Sequence, residues 1–234
     1  MTALRKTALV AGVLYLITFV SIPSLALYIP VHDPNYIVGS GPDTPVVIGG
    51  LLEIIVALAG IGTAVVLFPV VKRQNEAVAL GFVGARILEA STIFAGVVSL
   101  LSVVTLRRVG AGESAVVTGQ ALLAQYDAFF LGQGLMPVVN ALLLGSLLYK
   151  SRLVPRILPI VGFIGAPILL ASLIATMFGV NDRTSALSAL AALPIALWEF
   201  SLGVYLVVKG FKPSPITAGM VADGAPRAFR ESDV

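Results

Sequence analysis

The chain has 234 residues, 58% hydrophobic and only 12% charged, with 15 Lys and Arg against 12 Asp and Glu for a net charge of +3. Soluble domains carry about 25% charged residues, so this composition, with its mean hydropathy of +1.00, excludes a water-soluble fold. The absence of cysteine and the single histidine, His32, exclude disulfides, thiolate catalysis and multi-histidine metal sites.

Six apolar runs follow one another at roughly 8–30, 46–71, 77–104, 119–149, 157–179 and 185–208. Each is long enough to cross a hydrocarbon layer about 30 Å thick as a helix. The chain therefore reads as all-α, a six-transmembrane-helix bundle over residues 1–211 followed by a disordered cytoplasmic tail over 212–234. No room remains for a soluble catalytic domain.

Span 1 opens behind Arg5 and Lys6 and contains Pro23. It imitates a secretory signal peptide, but the apolar stretch is too long and its removal would upset the charge parity of the loops. An uncleaved first helix is expected. The segment from Pro30 to Pro45, with His32, Asp33, Pro34, Gly39, Gly41 and Pro42, is rich in turn-formers. A solvated connector is its first reading and a lid over an outward-facing cavity the second. Lys72-Arg73-Gln74-Asn75-Glu76 is a tight hairpin between spans 2 and 3. The tail beyond Phe211 lacks apolar periodicity and carries Pro213, Pro215, Gly219, Gly224 and Pro226.

The basic residues alternate between loops. Eleven (Arg5, Lys6, Lys72, Arg73, Lys150, Arg152, Arg156, Lys209, Lys212, Arg227, Arg230) fall on one side, against Arg107, Arg108 and Arg183 on the other. The positive-inside bias then places both termini in the cytoplasm. The net positive charge follows from topology and does not point to nucleic acid.

An internal echo links Gly81-Phe82-Val83-Gly84-Ala85-Arg86-Ile87-Leu88 with Gly162-Phe163-Ile164-Gly165-Ala166-Pro167-Ile168-Leu169. Each copy follows a basic loop and starts a span running outward. Spans 2–3 and 4–5 read either as a duplicated hairpin, a device of transporters, or as the chance similarity of Gly- and Ala-rich helices. At the charged positions the copies part: Arg86 stands opposite Pro167.

The residues also carry a resemblance. They are Arg5-Lys6-Thr7-Ala8, Leu67-Phe68-Pro69-Val70-Val71-Lys72-Arg73 with Asn75-Glu76, Ala85-Arg86-Ile87-Leu88-Glu89-Ala90, and Tyr149-Lys150-Ser151-Arg152-Leu153-Val154-Pro155-Arg156. Leu193-Pro194-Ile195-Ala196-Leu197-Trp198-Glu199 and Val208-Lys209-Gly210-Phe211 complete the set. Over most of its length the chain resembles a family of small bacterial multi-pass membrane proteins, domain of unknown function 4386. The resemblance implies a six-helix protein of the bacterial cytoplasmic membrane and brings no activity or cofactor. Trp198 departs from the glutamine expected before the acid of span 6.

Five ionisable residues lie inside the spans: Glu53, Arg86, Glu89, Asp127 and Glu199. A charge at such depth costs several kcal/mol and marks a site facing the bundle interior. At about 1.5 Å of rise per residue, Glu53 lies roughly 10 Å and Asp127 roughly 12 Å below the outer face. Arg86, Glu89 and Glu199 fall near the middle. Arg86 and Glu89, three residues apart, share a helix face. Four carboxylates around one guanidinium leave about three uncompensated negative charges, to be met by protons, a bound cation or an amine.

Around this constellation, Gly49, Gly50, Ala57 and Gly60 form a small-residue stripe beside Glu53, and span 4 carries Gln125, Gln133, Pro137 and Asn140. Gln125, Gln133, Asn140 and Trp198 are the expected supports of a polar cavity, with core packing the alternative for Trp198. The leading expectation is a binder or transporter of a small molecule, lipid head group or ion with proton linkage. An intramembrane carboxylate enzyme, with or without a metal, and a non-catalytic membrane partner are the alternatives. The lipid bilayer is the expected partner, and a homodimer is compatible with a chain of this length.

Overall fold

The computed structural model describes residues 1–39 and 41–219. Among these residues six helices are long and apolar enough to cross a membrane. Span 1 is built from α1 (Ala3–Ile17), a 3-10 turn at Thr18–Ser21 and the short α2 (Ser24–Leu27). The others are single helices: α3 (Thr44–Val71), α4 (Glu76–Arg108), α5 (Val116–Ser151), α6 (Ile157–Met177) and α7 (Ala186–Val208).

Short connections make consecutive spans antiparallel neighbours, and here the pairing closes on itself. α1 packs on α3, α3 on α4, α4 on α5, α5 on α6, α6 on α7, and α7 returns to α1. The result is a ring of six spans in chain order. All five lysines, Lys6, Lys72, Lys150, Lys209 and Lys212, belong to one end of the ring, called here the lysine end. The loops 28–43, 109–115 and 178–185 form the other, the loop end.

The lysine half is solidly filled. Tyr15, Leu67, Phe82, Leu144, Leu148, Trp198, Leu202 and Leu206 form one buried cluster there. Where α1 crosses α7, a Cβ on Gly12 would stand 2.7 Å from the Gly203 carbonyl oxygen and 2.8 Å from the Val207 nitrogen. Only glycine allows two backbones this close, the usual way membrane helices gain contact. Arg5 reaches from α1 to donate to the Leu206 carbonyl at 2.8 Å and to that of Val207. It thereby satisfies acceptors that the end of α7 leaves over. Gly210 follows with φ +76°, a conformation that favours glycine. Residues 211–219 continue along this end: the Lys212 amide donates to the Leu153 carbonyl at 2.8 Å and Ser214 Oγ to that of Ser151 at 2.6 Å. The expected tail is thus anchored over its first eight residues, 212–219. Its remainder, 220–234, lies outside the described residues.

The loop half is built differently. α4 and α5 have 33 and 36 residues, about 50 Å each at the helical rise, so this hairpin overreaches a hydrocarbon core of about 30 Å. Segment 28–43 folds against the overhang and is no solvated connector. Val31, Tyr36 and Ile37 are buried with Leu100, Val103, Val104 and Ala115. Asp43 closes the fold, paired with both Arg107 and Arg108 and accepting from Tyr36 Oη at 2.7 Å. Desolvation acts to raise the Asp43 carboxyl, but bonds from Tyr36, Arg108 and Arg107 hold it below its ordinary value.

The two echoing segments both sit near the start of a span but are used differently. A Cβ on Gly165 would press on Ile195 at 2.9 Å, whereas one on Gly84 would meet nothing within 4 Å. Gly12→Ala is therefore expected to destabilise the detergent-solubilised protein by about 1–3 kcal/mol, the usual cost of overpacking. Gly84→Ala should stay within about 0.5 kcal/mol of the parent or gain slightly. Thermal unfolding of the two variants side by side checks this.

Candidate functional site

Between the filled lysine half and the braced loop end the ring encloses a cavity of about 1010 Å³ to which all six spans contribute. Its wall is apolar: Phe19, Ile22 and Leu25 from span 1, Val56 and Ala57 from α3, Ala90 and Ile93 from α4. Phe130 and Leu131 of α5, Leu169 and Leu173 of α6, and Ala189, Ala192 and Ile195 of α7 complete it. Polar groups gather at its two ends. Arg86, Glu89 and Glu199 form the floor; His32, Arg183, Ser185 and Ser188 rim the mouth at the loop end. A mostly apolar pocket with few, placed polar groups is the general form of a small-molecule site.

The floor is an ion cluster drawn from four helices. Arg86, 3% exposed, donates from Nη1 to Glu89 Oε2 at 2.9 Å and from Nη2 to Glu199 Oε1 at 2.8 Å. Nη2 also reaches Tyr15 Oη at 3.2 Å, and Asn140 Nδ2 donates to Glu89 Oε2 at 3.0 Å. The guanidinium lies over the Tyr15 ring, 5.3 Å from its centroid. A Cβ on Gly60 of α3 would come within 4.0 Å of Arg86 Cδ, so the small residue there makes room for the side chain. An arginine that keeps its charge when buried is thus met by two carboxylates and a phenol. Two atoms of the cluster, Arg86 Nε and Asn140 Oδ1, are buried without a partner.

Glu53 and Asp127 do not join this cluster, which corrects the expectation of four acids around one guanidinium. Glu53 is buried seven residues before Gly60 on α3, about 10 Å toward the loop end, and accepts from Tyr126 Oη at 3.3 Å. It pairs with no basic group among the described residues. The Tyr28 ring seats against Gly49, where a Cβ would collide with it. Asp127 stands at the rim with its side chain 44% exposed, paired with Arg183 Nη2 at 2.8 Å and facing His32 Nε2 at 3.8 Å. Counting helical rise from the start of span 4 takes that start as the outer face, whereas α5, with 36 residues, is longer than an apolar layer of about 30 Å needs. The charge excess is correspondingly smaller than four carboxylates on one cation would give.

The supporting residues divide in the same way. Asn140 is part of the floor. Gln125 is exposed and Gln133 half-buried, and neither lines the cavity. Trp198 is core: its ring lies about 3.1 Å from a Cβ built on Gly162, sealed below the cavity. Pro137 does face the cavity, within an unbroken α5. Sequence reasoning overlooked Tyr15, Tyr126, Arg183 and His32 as parts of the site. Arg183 counted only as a loop charge, yet its guanidinium stacks on Phe130 at 4.5 Å and Tyr126 at 5.8 Å. The signal available was its position three residues before α7, the apolar helix that carries Glu199.

At the rim, His32 Nδ1 bonds the Tyr28 carbonyl at 2.8 Å, which turns Nε2 toward Asp127. The Asp127 carboxylate, outweighing burial, pushes the imidazole above its ordinary value of 6.5.

Fold and site together define a multi-pass helical membrane protein with a central cavity and a buried ion cluster at its floor. The family model described as "Domain of unknown function (DUF4386)" matches residues 10–210, and the chain belongs to that family. No curated protein and no solved structure matches it.

Arg86→Met should cost about 3–5 kcal/mol of stability by leaving buried carboxylates without their cation, and Arg86→Met combined with Glu89→Gln and Glu199→Gln should recover most of that loss. Denaturant unfolding of the single and triple variants measures the difference. A second expectation concerns pH. Because the folded-state value of His32 is raised, its pair with Asp127 contributes fully below 6.5 and is lost as pH climbs through the higher folded value. At a half-exposed site the contribution is under about 1 kcal/mol. His32→Gln should flatten this part of the melting profile between acidic and mildly alkaline buffer.

Proposed function

We propose that this protein binds an amphiphilic small molecule inside the bacterial cytoplasmic membrane, with its termini in the cytoplasm and the cavity mouth facing outward, and that binding is linked to a proton. The cavity of about 1010 Å³ with a charged floor carries the reading. Its apolar wall accepts a hydrocarbon or ring body, and its two polar ends lie about 20 Å apart along α7, counting 14 residues from Ser185 to Glu199. A detergent-like or lipid-like ligand of one chain fits such a volume.

Proton linkage follows from charge. One guanidinium against two carboxylates leaves the floor one negative charge in excess, and in surroundings of low polarity that excess is met by one proton or one cation. Net movement across the membrane requires a second opening at the lysine end. The Gly12–Gly203 crossing of α1 on α7 is the contact that such an opening would have to part.

The test uses a neutral fluorescent probe, N-phenyl-1-naphthylamine, with the protein in nanodiscs. The parent protein should bind it saturably above the lipid background. Ala192→Trp, which fills the cavity from α7, should weaken binding about tenfold or more, equivalent to about 1.4 kcal/mol. Equal signals from the two proteins would remove the reading.

A further inference from the structure

The floor of the cavity carries an inference about the ligand's chemistry that rests on the binding function proposed above. We infer that the occupant is a hydrophobic amine, seated with its protonated nitrogen between Glu89 and Glu199, where it takes the place of a proton.

The acceptors of the floor support this. Arg86 engages Glu89 Oε2 and Glu199 Oε1, so each carboxylate has its other oxygen, Glu89 Oε1 and Glu199 Oε2, without a hydrogen-bond partner among the described residues. Both residues line the cavity. Behind them Asn140, only 2% exposed and not on the cavity lining, holds Glu89 from the α5 side. Two free carboxylate oxygens on the cavity lining, with one excess negative charge, fit a protonated amine, which brings up to three donors and one positive charge. A carboxylate or phosphate would add negative charge where one is already in excess.

The other groups around the floor do not change the balance. α1 supplies Tyr15, a neutral phenol bonded to Arg86. α3 supplies Gly60 there, and its Glu53, two turns away, bonds Tyr126. α6 has no ionisable residue. Asp127 lies 13 residues from Asn140 on α5, about 20 Å toward the mouth, where Arg183 and His32 face it. Exchange is therefore one for one: as the ammonium enters, one proton leaves the floor carboxylates for solvent and the cluster stays neutral.

The probes are three compounds of one shape: 1-adamantylamine, 1-adamantanol and 1-adamantanecarboxylate, each competing with N-phenyl-1-naphthylamine for the parent protein in nanodiscs. An alkylamine keeps its proton throughout pH 6 to 9, like lysine at about 10.4. The amine should outcompete the alcohol and the carboxylate by about tenfold or more, since like charges repel at close range. Its affinity should rise by up to about tenfold per pH unit where the floor holds the displaced proton. Glu199→Gln, which keeps the Arg86–Glu89 pair and cancels the excess charge, should bring amine and alcohol to similar affinity. A carboxylate that competes as well as the amine, or an amine affinity that is flat with pH in the parent protein, overturns the inference while the cavity function stands. Failure of the naphthylamine to bind, or its indifference to Ala192→Trp, removes the cavity function and the amine with it.

Discussion

The architecture depends on finding partners for one guanidinium. Arg86 sits about 15 Å along α4 from its start at Glu76, inside a bundle whose surroundings offer almost nothing polar. Removing an unpaired charge from water costs several kcal/mol, so the helices that reach it are constrained to bring acceptors. α7 brings Glu199, α1 brings Tyr15, and α5 holds Glu89 in place through Asn140. The cluster ties α1, α4, α5 and α7 at one level and makes that level the floor of the cavity. Below it the bundle is free to pack as hydrocarbon. Above it lies the cavity.

This division explains where irregular backbone is tolerated. In the lysine half, α1 and α7 touch backbone to backbone at Gly12 and Gly203, and Arg5 closes the end of α7. In the loop half, span 1 gives up regular helix after Ile17, passes through a 3-10 turn and resumes briefly as α2. Phe19 meets Phe200 edge-on with ring centroids 5.4 Å apart. The lost contact is replaced by segment 28–43, which packs Val31, Tyr36 and Ile37 under the overhang of α4 and α5 and locks with Asp43 between Arg107 and Arg108. A cavity in a helical bundle needs such a brace, because each span bordering it has fewer neighbours to rest on.

The polar residues obey the same logic at each depth. At the centre, one guanidinium is met by carboxylates from two helices, with one negative charge in excess. One layer up, Glu53 is buried against Tyr126. At the rim, Asp127, Arg183 and His32 form a partly solvated group in which screening by water reduces the strength of each pair. The graded arrangement gives the cavity a polar entrance, an oily middle and a charged end, which suits a molecule with an apolar body.

Much of this was legible in the residues alone. Six apolar runs of about 20 residues or more determine six spanning helices, because only a helix satisfies its backbone hydrogen bonds within a single segment in hydrocarbon. The intramembrane positions of Arg86, Glu89 and Glu199 marked the level of the ion cluster, since only a partnered charge persists there, and the three-residue spacing of Arg86 and Glu89 already implied their pair. What one-dimensional spacing lacks is rotation about each helix axis and the height at which a helix enters the apolar layer. These decide that Glu53 turns to Tyr126 rather than Arg86, that Asp127 belongs to the mouth, and that Gln125 and Gln133 face away while Trp198 joins the core. They arise from contacts between residues far apart in the chain, Tyr15 with Arg86 and Glu199 or Asp43 with Arg107, and only the folded ring brings those together.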